Sequence, residues 1–201
     1  MQKTTPITLP TNSSETLQTS PPPTWVGEIR QRYGNDLSFL QTFNPSLQAP
    51  YITQSLARCF IGSAPSLARV QATYGFGTTI TWLSAQLVDL ALFSGIKEKP
   101  NLEQITAIAE TILVSYSHLK VTELMVFFQK FKAGEYGRFY GVIDGLVITD
   151  ALNNFLPYRK QMIDRFEKEK ADREQAEKRE RSDQNTLTHE EYELLRWYYN
   201  M

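Results

Sequence analysis

The chain has 201 residues, 41% of them hydrophobic, enough for one ordinary domain with polar arms but not for a core along its whole length. Twenty-one Lys and Arg stand against 22 Asp and Glu, a net charge of -1, so the overall balance demands neither nucleic acid nor an anionic membrane. The one cysteine, Cys59, excludes an intrachain disulfide framework and suits a reducing compartment.

Residues 1–23 are rich in Thr, Ser and Pro and close on Pro21, Pro22 and Pro23. Such a segment buries too little apolar area to offset its ordering entropy, so a disordered N-terminal arm is expected. It has no apolar stretch of the secretory kind. The longest apolar run, ITWLSAQLVDLALF, is about 14 residues and carries Asp89, short of a bilayer span. A cytoplasmic location without membrane contact is the resulting expectation.

Over 24–70 the pattern breaks into short helical pieces, TWVGEIRQRYG, ITQSLARCF and PSLARVQATYG, expected to pack on or lead into a core domain over 71–166. In that domain ITWLSAQLVDLALFSG is apolar on most faces (Ile80, Trp82, Leu83, Leu87, Val88, Leu90, Leu92, Phe93), which predicts the central helix of a bundle. Asn101 is placed to cap LEQITAIAETILVSYSHL, where Ile105, Ile108, Ala109, Ile112 and Tyr116 form one stripe. Thr122 is expected to cap ELMVFFQKFKAG, with Leu124, Phe127, Phe128 and Phe131 on its buried face. β alternation is convincing nowhere. The fold class is therefore all-α, a small helical bundle with a long projecting C-terminal helix.

The projecting helix starts near Leu146 and keeps helical spacing through Ile148, Leu152, Phe155, Met162 and Phe166. Pro157 interrupts it, and a kink or break is expected there, since an interior proline costs about 3 kcal/mol. From Asp164 to Asp183 the apolar stripe fades, and eight acids alternate with seven bases. Pairs such as Asp164/Lys168, Glu169/Arg173 and Glu174/Lys178 would each contribute roughly 0.2–0.5 kcal/mol to a solvated helix. The spacer over 167–187 is expected to lead to an aromatic docking segment over 188–201, with Tyr192, Leu195, Trp197, Tyr198 and Tyr199 as its binding residues. So short a helix is marginal alone in water and needs a surface, its own domain's or a partner's. Four large side chains would release roughly 6–12 kcal/mol gross. An association cost of about 4–15 kcal/mol consumes much of that, so a second contact is expected to help.

Between the core and the projecting helix lies FKAGEYGRFYGVIDGLVITDAL. Gly134 is read as a helix stop, Gly137 and Gly141 as positions of tight backbone, and Asp144 as a cap for the following helix. Tyr136, Phe139 and Tyr140 are too apolar to be left in water together, so some pack beneath the turn. Lys130, Lys132 and Arg138 would then face outward with Tyr136 or Tyr140. Basics interleaved with aromatics suit single-stranded nucleic acid or a protein interface, and a purely structural turn is the competing reading.

Catalytic groupings are scarce. Cys59 sits among apolar residues, far in sequence from His118 and His189, and reads as a small buried hydrophobe. Metal-ligand spacing is missing, and YGFGTT lacks the rest of a phosphate loop. No catalytic, cofactor-binding or metal-binding residue is expected, and an enzyme is not.

The run FFQKFKAGEYGRFYGVIDGLVITDALNNFLPYR (127–159) resembles the signature of a family of uncharacterised helical proteins in Bacteroides-type bacteria and their mobile elements. A phenylalanine-rich helix leads into a G-x-YG-x-FYG turn, followed by an aspartate, an isoleucine-led helix and an arginine. The resemblance covers roughly 70–166 and leaves the arms outside; Gly145 stands where many relatives are expected to carry proline. At the level of layout the chain is also similar to phage-type helicase loaders, small helical domains with a flexible tail that contacts a helicase. Together these imply a non-enzymatic adaptor of a mobile element, linked to DNA replication through a protein partner such as a replicative helicase. Direct binding of single-stranded nucleic acid by the basic, aromatic turn is the alternative.

Overall fold

The computed structural model describes residues 23–95, 101–137, 139, 143–185 and 189–201. The elements run α1 (Thr24–Tyr33), α2 (Asp36–Thr42), a 3-10 turn (Pro45–Leu47), α3 (Gln48–Ile61), α4 (Leu67–Phe93), α5 (Leu102–Ser115), α6 (Val121–Lys132), α7 (Gly145–Asn185) and α8 (His189–Tyr199). Among the described residues the chain is all-α, with no strand, and ends in a long helix.

The helix buried round its circumference is α6, whose residues from Val121 to Phe128 are all buried. The sequence pattern put α4 there. Helix α4 packs against α1 and α2 as well as α5 and α6, yet part of its surface stays open, and Val88, Leu92 and Phe93 are exposed at 41%, 73% and 63%. Helix α4 is long and apolar enough to cross a membrane by length and composition alone. In this fold its Leu83, Leu87 and Leu90 are fully enclosed in the protein core.

The two segments expected over 65–95 are one element, bent at Gly75. Gly75 has φ 88° and ψ 167°, a region only glycine occupies readily, and the Thr79 hydroxyl donates to its carbonyl at 2.9 Å. The core also begins earlier than residue 71. Ile29, Phe39 and Phe43 are buried, and the Phe43 carbonyl, which α2 leaves without a helical partner, accepts from Trp82 Nε1 at 2.8 Å and Gln86 Nε2 at 3.0 Å.

The starts of α4 and α6 are laced together. Leu67 N donates to Leu119 O at 2.9 Å and Val121 N to Pro65 O at 3.0 Å. Thr122 does not cap α6. The reach-back comes from Glu123, whose Oε2 accepts from Lys120 N at 2.9 Å, while the Thr122 hydroxyl crosses to Cys59 O at 2.8 Å. A lysine can stand at this position because the N3 glutamate satisfies the open backbone donor.

Helix α7 runs unbroken through Pro157. Pro157 and Asn153 are exposed, so the carbonyl deprived of its helical donor belongs to a residue on the solvent side of the helix. The neighbouring Leu152 and Phe155 are fully buried. Phe60 on α3 meets Phe155, Tyr158 and Phe166 at ring distances of 6.3, 6.0 and 6.3 Å, which anchors the first half of α7. At 41 residues α7 is about 60 Å long. Past Phe166 its described side chains are exposed. Ion pairs there include Arg165–Glu169 at 2.7 Å and Lys170–Glu174 at 3.8 Å, in the base-first order rather than the acid-first order read from the sequence. With opposite charges available on both sides at i±4, little energy separates the two choices.

Candidate functional site

The glycine-rich joint is built on the end of α6. Gly134 and Gly137 adopt φ 85° and 93° and turn the chain back over that helix. The Tyr136 ring stacks on Phe127 at 5.5 Å, and the Phe139 ring lies nearly parallel to Phe131 at 5.0 Å. Burial pushes the Tyr136 hydroxyl well above the usual tyrosine range. That hydroxyl is buried without a hydrogen-bond partner among the described residues. Asp144 closes the turn as a cap: its Oδ1 accepts from Leu146 N at 2.8 Å and its carbonyl from Ile148 N at 3.1 Å. Arg138, Tyr140 and Gly141 lie outside the described residues.

The two lysines expected to face outward are engaged. Lys130 pairs with Glu135 at 2.5 Å and lies 4.1 Å from the centre of the Tyr158 ring. Lys132 pairs with Asp89 and sits over the Phe93 ring at 5.7 Å. Their side chains are only 19% and 11% exposed. Sequence reading missed this because Asp89 is 43 residues away on another helix. The described part of the joint therefore gathers aromatics as pegs and cations as ties.

A buried ion pair sits behind the joint. Glu123 is fully buried, and its Oε2 lies 3.0 Å from Arg159 Nε. Its Oε1 is buried with no hydrogen-bond partner among the described residues. Nearby, Lys120 Nζ donates to Phe60 O at 2.6 Å and Gly62 O at 2.9 Å, closing the C-terminal end of α3, and its partial burial lowers its pKa. Spacing could flag Glu123 as a capping residue but could not bring Arg159 to it.

The aromatic tail has the opposite character. On α8, Tyr192, Leu194, Leu195, Trp197, Tyr198 and Tyr199 are all exposed, from 41% at Leu195 to 81% at Tyr199. Neighbours on the helix touch one another, as Tyr198 and Tyr199 do edge to face at 5.9 Å, but the stripe is not enclosed by the bundle. The helix carries Glu190, Glu191 and Glu193 against Arg196, so its apolar surface is flanked by net negative charge. Thr188, the first residue of the docking segment expected over 188–201, lies outside the described residues.

Cys59 is buried, its thiol pushed up to about 11 by burial, with Sγ 3.6 Å from Ser55 O and 3.8 Å from Tyr51 O. Burial and a raised pKa leave little thiolate near neutral pH. Among the described residues no group of three or more His, Cys, Asp or Glu is placed to hold a metal ion.

Residues 100–198 match the model of a family of unknown function (DUF6633). No curated protein and no solved structure matches the chain. The matched region takes in α5, α6, the joint, all of α7 and nearly all of α8, so it reaches well past residue 166, where the sequence resemblance was expected to stop.

Proposed function

We propose that this protein is a non-enzymatic interaction adaptor that presents α8 to a partner protein from the end of the charged half of α7. The observation that carries this reading is the exposed apolar stripe of α8, Tyr192, Leu195, Trp197 and Tyr198 above all, where exposed aromatics are clustered on one short helix, whereas elsewhere among the described residues Phe76 and Phe93 are the exposed ones. Tyr and Trp combine large contact area with a polar handle, and they dominate the energetics of protein interfaces. The partner's complementary feature is an apolar groove with a basic rim, matched to the glutamates of α8. The family match supports treating spacer and tail as part of the same unit as the core, since it runs through both.

The resemblance of residues 127–159 to helical proteins of Bacteroides-type bacteria and their mobile elements supports a mobile-element setting. The helicase-loader-like layout makes a replicative helicase the first partner to try. The test is a direct binding measurement between the full chain and the host helicase, repeated with Thr188–Met201 removed and with Trp197→Ala and Tyr198→Ala together. Loss of binding in both variants, with the circular dichroism of the bundle unchanged, supports the tail. Equal binding by the truncated chain sinks it. Sedimentation of the full chain across a concentration series separates a second copy from a foreign partner.

A direct role for the joint on single-stranded nucleic acid is the weaker reading, because Lys130 and Lys132 already hold carboxylates. A salt titration with an oligonucleotide decides it, since phosphate contacts give a steep salt slope.

A further inference from the structure

Away from both the joint and the tail, α1, α3 and the start of α6 enclose an open cavity of about 280 Å³. Its lining includes Arg32, Tyr33, Tyr51, Ser55, Arg58 and Ser63. Two features set it apart from a packing defect. Its charged side chains are both arginines, and none of the lining residues is acidic. Neither Arg32 nor Arg58 forms an ion pair with a carboxylate among the described residues, whereas Lys130, Lys132 and Arg159 each do.

The backbone is irregular where it borders the cavity. Helix α3 is interrupted at Ser55, which leaves helical geometry at φ -169° and ψ 99°. The Ser55 hydroxyl accepts from Arg58 N at 3.3 Å and so starts the second half of α3, the half that carries Arg58. Arg32 is held from the other wall. It donates to the Ser63 hydroxyl, and its guanidinium lies 5.9 Å from the Tyr33 ring centre. The apolar side is aromatic: Tyr33 packs on Phe43 at 5.1 Å, and Phe43 stacks on Tyr51 at 5.8 Å, all three bordering the cavity.

We infer that this cavity binds a small phosphate-bearing molecule with a planar ring, the phosphate held between Arg32 and Arg58 and the ring set against Tyr33 and Tyr51. Arginine presents paired N–H donors that fit phosphate oxygens, and charge-assisted bonds of this kind are the strong ones. Aromatic walls receive a flat ring without demanding a particular pattern of donors. The hydroxyls of Ser55 and Ser63 and the amide of Gln54 complete a lining of donors suited to an anion. The volume is of mononucleotide scale, at the small end of ordinary ligand pockets. This site is independent of the α8 reading and stands or falls without it.

The test is isothermal titration of the full chain at low salt with three probes: inorganic phosphate, nucleoside 5′-monophosphates, and the corresponding uncharged nucleosides. Arg32→Gln and Arg58→Gln are the variants. Both side chains are solvent-exposed, so the fold is expected to survive either change. The expected result is saturable binding of phosphate or monophosphate that weakens about tenfold to a hundredfold in each variant and falls as salt is raised. Tighter binding of the monophosphate than of phosphate supports the aromatic wall as part of the site; equal binding overturns the placement of a ring against Tyr33 and Tyr51. No saturable binding of either phosphate probe overturns the inference. So does nucleoside binding as tight as that of the monophosphate, or phosphate binding unchanged in both variants.

Discussion

Replacing Glu123 with glutamine isolates the charge at the centre of the bundle. The side chain keeps its shape, and its amide oxygen can still accept from Lys120 N, as Oε2 does now at 2.9 Å. What disappears is the partner of Arg159, 3.0 Å from that oxygen. Removing one member of a buried ion pair costs about 3–5 kcal/mol when the other is left without compensation. Arg159 is 24% exposed, so water recovers part of its loss. A destabilisation of about 2–3 kcal/mol is expected after that discount. For a chain of 201 residues this lowers the unfolding midpoint by about 4–12 °C. Urea unfolding followed by far-ultraviolet circular dichroism measures the free-energy loss, and thermal unfolding by the same signal measures the shift in midpoint. The double variant Glu123→Gln, Arg159→Met removes both charges and is expected to regain at least about 1 kcal/mol over Glu123→Gln alone. A single-variant loss below about 0.5 kcal/mol, or strictly additive losses, would refute the reasoning.

Two glycine substitutions probe different physics. Gly75→Ala has open space for its methyl group but forces alanine into φ 88°, and a loss of about 1–3 kcal/mol in thermal unfolding is expected. Gly62→Ala needs no unusual φ, yet its Cβ would fall on the Arg58 carbonyl oxygen, so a comparable loss of about 1–3 kcal/mol is expected from crowding alone. Alkaline pH gives a third check. Burial raises Cys59 from its ordinary 9.0 to about 11 and also raises Tyr33, Tyr51, Tyr74, Tyr116 and Tyr136 above 10.0, so the unfolded chain releases these protons first. Stability is then fully present below pH 9 and falls as pH rises through the 9–11 window, with Cys59→Val flattening the lower part of the fall; Lys120, lowered by burial, works in the opposite direction. Unfolding midpoints measured from pH 8 to 11 that stay level would contradict this. Finally, the Cys59 thiol is expected to react with a thiol reagent at neutral pH only as fast as the chain opens, and immediate labelling of the native protein would show the burial to be wrong.

Helical periodicity exposes what is repeated locally and hides what is shared between distant segments. The α5 stripe from Ile105 to Tyr116 was legible because one period of apolar residues names one buried face. The ranking of α4 and α6 was not. Both read as apolar, and the deciding fact is where the neighbouring helices lie along and around each, which leaves Leu92 and Phe93 exposed on α4 but encloses Met125 and Val126 on α6. Pro157 was misjudged for a related reason. Its cost depends on whether the carbonyl it deprives of a donor is dry or wet, and Asn153 faces water.

The same distinction sorts the functional readings. Lys130 and Lys132 looked like surface cations because their acids, Glu135 and Asp89, are separated from them by a turn in one case and by the whole of α5 in the other. Arg32 and Arg58 went unnoticed because the cavity they border is assembled from α1, α3 and α6, with no motif inside any one of them. The exposure of the α8 aromatics was legible because its case is compositional: aromatics clustered on a short helix beyond a charged spacer have no bundle face within their own segment to cover them. A run of residues can announce that it lacks a surface to bury against, but a pocket whose walls come from three helices leaves no trace in any one segment. That asymmetry is why the sequence pointed to the exposed aromatic helix and was silent about the cavity bordered by Arg32 and Arg58 in the same chain.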